Sequence, residues 1–266
     1  MCPPVMYRRA DARSAPTKYI KIMYHFLIAL QFLTIVPVRL RRQPQAVDLN
    51  ASLLFFPLVG LLLGLVLTCL WLAAGFLPYG VRAMLVVLAG VLFTGGLHLD
   101  GLSDTVDGLA CSGDKARRLA LMRSGSSGPM GIAAMTLDIL SRWVILSSMP
   151  GHYVIWAMPA GMMFSRWLQS FACAVFPYAR PEGKGSGFIG RGNPAAVVFS
   201  GMSVLIVLWF IFGWPALAAA GLALSAAVIF LRQVNKKIGG VTGDVIGAVN
   251  EIGEVGFLFC ALCTAG

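Results

Sequence analysis

Apolar runs of about 20 residues, the length a helix needs to cross a bilayer, recur along this chain between short polar stretches. Seven windows have that character: 51–78, 81–99, 129–149, 152–176, 195–213, 215–232 and 244–264. A further run, "YHFLIALQFLTIVPV" at 24–38, is shorter and closes on a proline. The predicted fold is all-α: a polytopic integral membrane protein of about seven transmembrane helices plus a short N-terminal re-entrant or interfacial helix. Composition agrees. With 58% apolar residues and 12% charged, the chain lies far from soluble domains, in which about a quarter of residues are charged.

The polar remainder sets orientation. Lys and Arg collect in 39–50, 100–128, 177–194 and 232–243, whereas the alternate turns near 79–82, 150–151 and 213–215 carry only Arg82. Because basic loops stay cytoplasmic, one face is cytoplasmic and loop-rich and the other is trimmed to tight turns. The basic start, residues 1–22, lacks the small-residue cleavage site of a secretory signal and reads as an extension. Residues 23–266 read as one membrane-embedded domain. The net charge of +10 fits contact with the anionic headgroups of a lipid bilayer and does not call for nucleic acid. Of the six cysteines, Cys260 and Cys263 form a single CxxC, but it lies inside an apolar tail, and all six read as small buried residues.

Against this background the acids stand out. Only 11 of 266 residues are Asp or Glu, yet "GGLHLDGLSDTVDG" (95–108) holds Asp100, Asp104 and Asp107. At about 100° per residue these three project within roughly 60° of one another on a helix. Like charges so close stay ionised only beside a neutralising cation, and a hard divalent ion such as Mg²⁺ suits oxygen ligands. A second string, "GGVTGDVIGAVNEIGEVGF" (239–257), carries Asp244, Glu251 and Glu254 with the small residues that let membrane helices pack closely. The predicted metal ligands are Asp100, Asp104, Asp107, Asp244 and Glu251.

Basic residues complete the pattern. Arg142 and Arg166 lie inside apolar windows, where an ionised side chain needs a carboxylate or phosphate partner. "ARPEGKGSGFIGRGN" (179–193) adds Arg180, Lys184 and Arg191 among five glycines. His98, Arg142, Arg166, Lys184, Arg191 and Glu254 are the predicted substrate-binding residues. Clustered acids, basic side chains and a divalent ion together suit phosphoryl transfer from a polyphosphate donor.

These strings resemble the membrane-bound cobalamin synthases, the adenosylcobinamide-GDP ribazoletransferases. The likeness runs from "ALQFLTIVPVR" (29–39) and "FFPLVGLLLG" (55–64) through "TGGLHLDGLSDTVDG" (94–108) to "GFIG" (187–190) and "GGVTGDVIGAVNEIGE" (239–254). The resemblance implies that adenosylcobinamide-GDP is joined to α-ribazole or its 5′-phosphate, with release of GMP and a need for Mg²⁺, at the bacterial inner membrane. It places the family's acidic motifs on Asp100, Asp104 and Asp107 and on Asp244, Glu251 and Glu254, and its basic helix positions on Arg142 and Arg166. Asp104, Asp107 and Glu251 are the predicted catalytic residues, with Asp107 or Glu251 taking the proton from the ribazole hydroxyl. One stretch departs: the chain reads "MRSGSSGPMG" (122–131) where the family shows an Asp-Ser-Arg-like string. A homo-oligomer is compatible with the sequence.

Two rival readings remain open on sequence. A CDP-alcohol phosphatidyltransferase shares "DTVDGLA" (104–110), but Cys111, Ser112 and Ala248 break the rest of its pattern. An ion-coupled transporter would also hold intramembrane carboxylates, although here they gather towards one face.

Overall fold

The computed structural model describes residues 18–180, 183, 185–190 and 193–264. They form α1 (Lys18–Leu33), α2 (Ala46–Ser52), a 3-10 turn (Leu53–Phe55), α3 (Phe56–Ala73), α4 (Tyr79–Thr94), α5 (Leu97–Ala110) and α6 (Lys115–Leu121). The second half holds α7 (Pro129–Ser148), α8 (Gly151–Val175), α9 (Pro194–Phe212), α10 (Trp214–Ile238) and α11 (Gly243–Cys263). The fold is all-α, as the apolar periodicity requires; among the described residues the extended pairing is one isolated bridge, Tyr178 with Val241.

Five stretches are long and apolar enough to cross a bilayer: Ala46–Ala73, Pro129–Ser148, Pro194–Ile211, Trp214–Ile238 and Gly243–Cys263. Counting α4 and α5 as one broken span makes six. Two of the seven predicted windows therefore behave differently. The window at 81–99 breaks at Gly95 and Gly96, whose φ angles of 62° and 69° are ready conformations only for glycine, and α5 leaves α4 at 86°. The window at 152–176 is a 25-residue helix, α8, but an enclosed one: its buried residues include Arg166, Gln169, Ser165 and Ser170.

Helix α8 is the central post of the protein. Helix α3 lies against it so closely that a Cβ added to Gly64 would fall 2.3 Å from the Cα of Pro159. The core around this pair is large and apolar, with Phe56, Trp71, Phe164, Leu168 and Phe257 buried. Burial at about 25 cal/mol per Å² makes such a core the main source of cohesion wherever it is withdrawn from water; where helices already face lipid, close packing takes over. On the outside, α9 presents Val198, Phe199, Met202, Leu205, Ile206, Trp209 and Phe210, an apolar face too broad for water and suited to lipid.

Helix α1 differs in extent from the 24–38 run, since it starts at Lys18 and spans 16 residues. At 1.5 Å per residue that is about 24 Å, short of a hydrocarbon core about 30 Å thick. It is tied to the interior by Phe32, whose ring lies 4.6 Å from that of Phe188 in the 185–190 turn.

At one end of the bundle the polar loops meet. Arg118 of α6 donates to the carbonyls of Gly108 (3.1 Å) and Leu109 (2.7 Å), closing the end of α5. Pro177–Ala179 pairs with Val241: Ala179 N–H donates to Val241 O at 2.9 Å, and Val241 N–H to Pro177 O at 2.8 Å. The basic segments predicted to share a face thus converge.

Candidate functional site

Two groups of ionisable side chains lie along α11, one open and one closed. The open group is built where α5 crosses α11. A Cβ on Gly101 would sit 2.6 Å from the carbonyl oxygen of Asp244 and 3.2 Å from the Cα of Gly247. Only bare backbones allow that approach, and it brings Asp100 and Asp104 of one acidic string to Asp244 of the other. Asp104 is in charge–charge range of Asp100, Asp107, Asp244 and Arg180.

The four aspartates differ in how far the protein has already engaged them. Asp107 accepts from the N–H of Gly128 at 2.6 Å with Oδ2 and from the N–H of Gly131 at 2.8 Å with Oδ1. Both oxygens are used to seat the first turn of α7, where the helix dipole favours an anion. Asp244 receives Arg180 Nη2 at 2.9 Å and Thr242 Oγ1 at 3.1 Å, both on Oδ2. Thr242 Oγ1 also accepts from Val245 N–H at 3.3 Å, capping α11. Asp100 is exposed and Asp104 buried, and among the described residues neither accepts a hydrogen bond nor joins an ion pair.

The closed group sits deeper along α11. Seven residues separate Asp244 from Glu251, about 10 Å of helix axis. Arg142 of α7 meets three carboxylates: it donates to Glu254 at 2.8 Å from Nη1 and to Glu251 through Nη2, and its Nε lies 3.0 Å from Asp138 as an ion pair. Arg166 of α8 donates through Nη1 to Glu254 and to Ser165 Oγ, the latter at 2.9 Å. Asn250 Nδ2 donates to Glu251 Oε1 at 3.0 Å. Two guanidiniums thus offset two of the three carboxylate charges, and such pairing is a condition for keeping charged groups out of water.

The structure therefore divides the predicted residues. It brings Asp100, Asp104, Asp107 and Asp244 together, but joins Glu251 to Arg142 and Asn250 instead of to the aspartates. Arg142, Arg166 and Glu254 bind one another, whereas the sequence pointed each of them to substrate. His98 lies 2% exposed under the α5–α11 crossing, and its Nε2 has no hydrogen-bond partner among the described residues. Lys184 and Arg191 lie outside the described residues. Sequence reasoning missed Asp138, whose signal was an acid four residues before Arg142 in an apolar window. It also counted Arg180 as one loop charge among several.

The donor set bears on Mg²⁺. Among the described residues no three His, Cys, Asp or Glu side chains converge tightly enough to cage a metal. Mg²⁺, however, usually keeps several waters and binds through one or two carboxylates together with substrate phosphates. Two neighbouring aspartates with unclaimed oxygens fit that mode, and the closed group does not.

A protein-family model described as cobalamin-5-phosphate synthase matches residues 25–262. Among curated proteins, the adenosylcobinamide-GDP ribazoletransferase of Pseudomonas fluorescens is 39% identical over 243 residues, covering 89% of this chain and 98% of its own. Those of Geotalea daltonii and Acinetobacter baumannii are each 34% identical, covering 91% and 89% of this chain and 98% and 96% of theirs. No solved structure matches.

Proposed function

Because the chain belongs to the cobalamin-5-phosphate synthase family, we propose that its open aspartate group carries out the transfer for which its relatives are named. The substrates are adenosylcobinamide-GDP and α-ribazole or its 5′-phosphate. A ribazole hydroxyl attacks the phosphorus that carries the cobinamide, the bond from that phosphorus to the GMP oxygen breaks, and GMP leaves. The phosphatidyltransferase and transporter readings have no support from the relatives.

The observation that carries this reading is the contrast between aspartates. Asp107 and Asp244 are engaged by the protein, while Asp100 and Asp104 keep their oxygens free beside them. Asp100 and Asp104 would hold Mg²⁺, which when bound offsets the charge on the donor's phosphates. The chain's own residues do the rest. Asp104, in place of the Asp107 or Glu251 expected from the sequence, takes the proton of the attacking hydroxyl on an oxygen that the ion leaves free, because protein donors hold Asp107 and Glu251 but not Asp104. Asp107 fixes the start of α7 against α5, and so holds the 122–131 stretch, the part that departs from the family pattern, beside the reacting groups. The closed group fixes α7, α8 and α11 relative to one another, so that positioning, which dominates phosphoryl transfer, is built in before substrate arrives. The excess of Lys and Arg in the loops at this end of the bundle supports a cytoplasmic orientation for the site.

The test is product identity. Purified protein in detergent, given adenosylcobinamide-GDP, α-ribazole and Mg²⁺, should yield one GMP for each corrinoid on whose phosphate α-ribazole has replaced GMP. GMP release without α-ribazole, or a corrinoid product lacking the added nucleoside, would contradict the reading.

A further inference from the structure

Arg180 pairs with the one site aspartate that the same short bridge also positions. The pairing of Pro177–Ala179 with Val241 fixes the chain just before Arg180 and just before Asp244. Gly240 makes the approach feasible, since a Cβ there would meet Pro177 O at 2.5 Å and Ala179 N at 2.8 Å. From that platform Arg180 Nη2 reaches Asp244 Oδ2 at 2.9 Å, with the two side chains 11% and 24% exposed.

The pairing is incomplete on both sides. Arg180 Nε is buried and has no hydrogen-bond partner among the described residues, and Asp244 Oδ1 accepts no bond there. A planar guanidinium has five donors and suits the oxygens of a phosphate in paired geometry. Here one face of it meets a carboxylate while Asp104, in charge range of both, is left without a counter-ion bond. Among the described residues Arg180 is the guanidinium that bonds this group of four carboxylates, so a second cation entering the group competes with Arg180 for Asp244.

From this we infer that Arg180 is an exchangeable counter-ion: it occupies Asp244 in the empty protein and moves to the donor's diphosphate when a divalent ion reaches the aspartates. The inference rests on the transferase reading and deepens it, by naming the residue that couples ion binding to diphosphate binding. Coupling of this kind is reciprocal. Whatever frees Arg180 from Asp244 favours the diphosphate, and whatever removes Arg180 favours the ion.

The test uses the full chain in detergent without corrinoid, with Mn²⁺ binding followed by electron paramagnetic resonance and GDP binding by calorimetry. Arg180→Gln should bind Mn²⁺ roughly tenfold more tightly and GDP roughly tenfold more weakly, as expected for loss of one adjacent charge. Asp244→Asn should do the reverse: with its guanidinium released, metal-free protein binds GDP several-fold more tightly and Mn²⁺ more weakly. A pair that merely braces the loop would weaken GDP binding in both variants, and that result overturns the exchange. Unchanged Mn²⁺ affinity in Arg180→Gln overturns it too, while Mn²⁺ binding by the unaltered protein leaves the metal reading standing. If neither the unaltered protein nor Arg180→Gln binds Mn²⁺, the metal reading falls and takes the exchange with it. Should Arg180→Gln fail to fold, the GDP affinity of Asp244→Asn decides alone, a gain supporting the exchange and a loss overturning it.

Discussion

Gly101 of α5 and Gly247 of α11 are in backbone contact, a Cβ on the first falling 3.2 Å from the Cα of the second. The crossing is what turns two distant acidic strings into one site. Gly101→Val should force the helices apart; overpacking of this kind typically costs about 1–3 kcal/mol. GMP release should fall further than stability does, because Asp104 and Asp244 would separate. Thermal unfolding in detergent beside a turnover assay checks both, and a stable, fully active Gly101→Val protein would contradict the crossing.

Asp107 is expected to behave as a seat for α7. Asp107→Asn keeps one acceptor oxygen but loses the charge and one of two N–H bonds, so a stability loss of about 1–2 kcal/mol should follow. Turnover should drop only in part. Complete loss of turnover at unchanged stability would instead make Asp107 a participant in the chemistry.

Arg142 holds three buried carboxylates. Removing one partner of a buried pair typically costs about 3–5 kcal/mol because the remaining charge is stranded. Arg142→Met should therefore unfold or fail to accumulate in the membrane. Adding Glu251→Gln should restore part of the lost stability, since one stranded carboxylate is then neutral. Additive losses in the double variant would show that the two residues are not coupled.

Much of this was legible in the sequence, for physical reasons that also mark where it stopped. Long apolar windows gave α3, α7, α9, α10 and α11, because a lipid-facing helix must be apolar along its length. The same criterion does not set α8 apart, although it is wrapped by protein and carries Arg166, Gln169 and two serines. The helical spacing of Asp100, Asp104 and Asp107 put them on one side of α5, but spacing carries no information on what stands opposite. Only the fold shows that the N–H groups of Gly128 and Gly131 take Asp107, and that Arg142 draws Glu251 away from Asp244. Asp138 went unread although it stands four residues before Arg142, because a single such pair does not show which other helices face it.

The most direct test of the central claim is the Mg²⁺ dependence of GMP release, compared between the unaltered protein and Asp104→Asn. The account predicts release that EDTA abolishes and Mg²⁺ restores, and a fall of about 100-fold or more in Asp104→Asn, with that variant's thermal unfolding nearly unchanged. An Asp104→Asn protein that turns over normally, or release indifferent to EDTA, would contradict it.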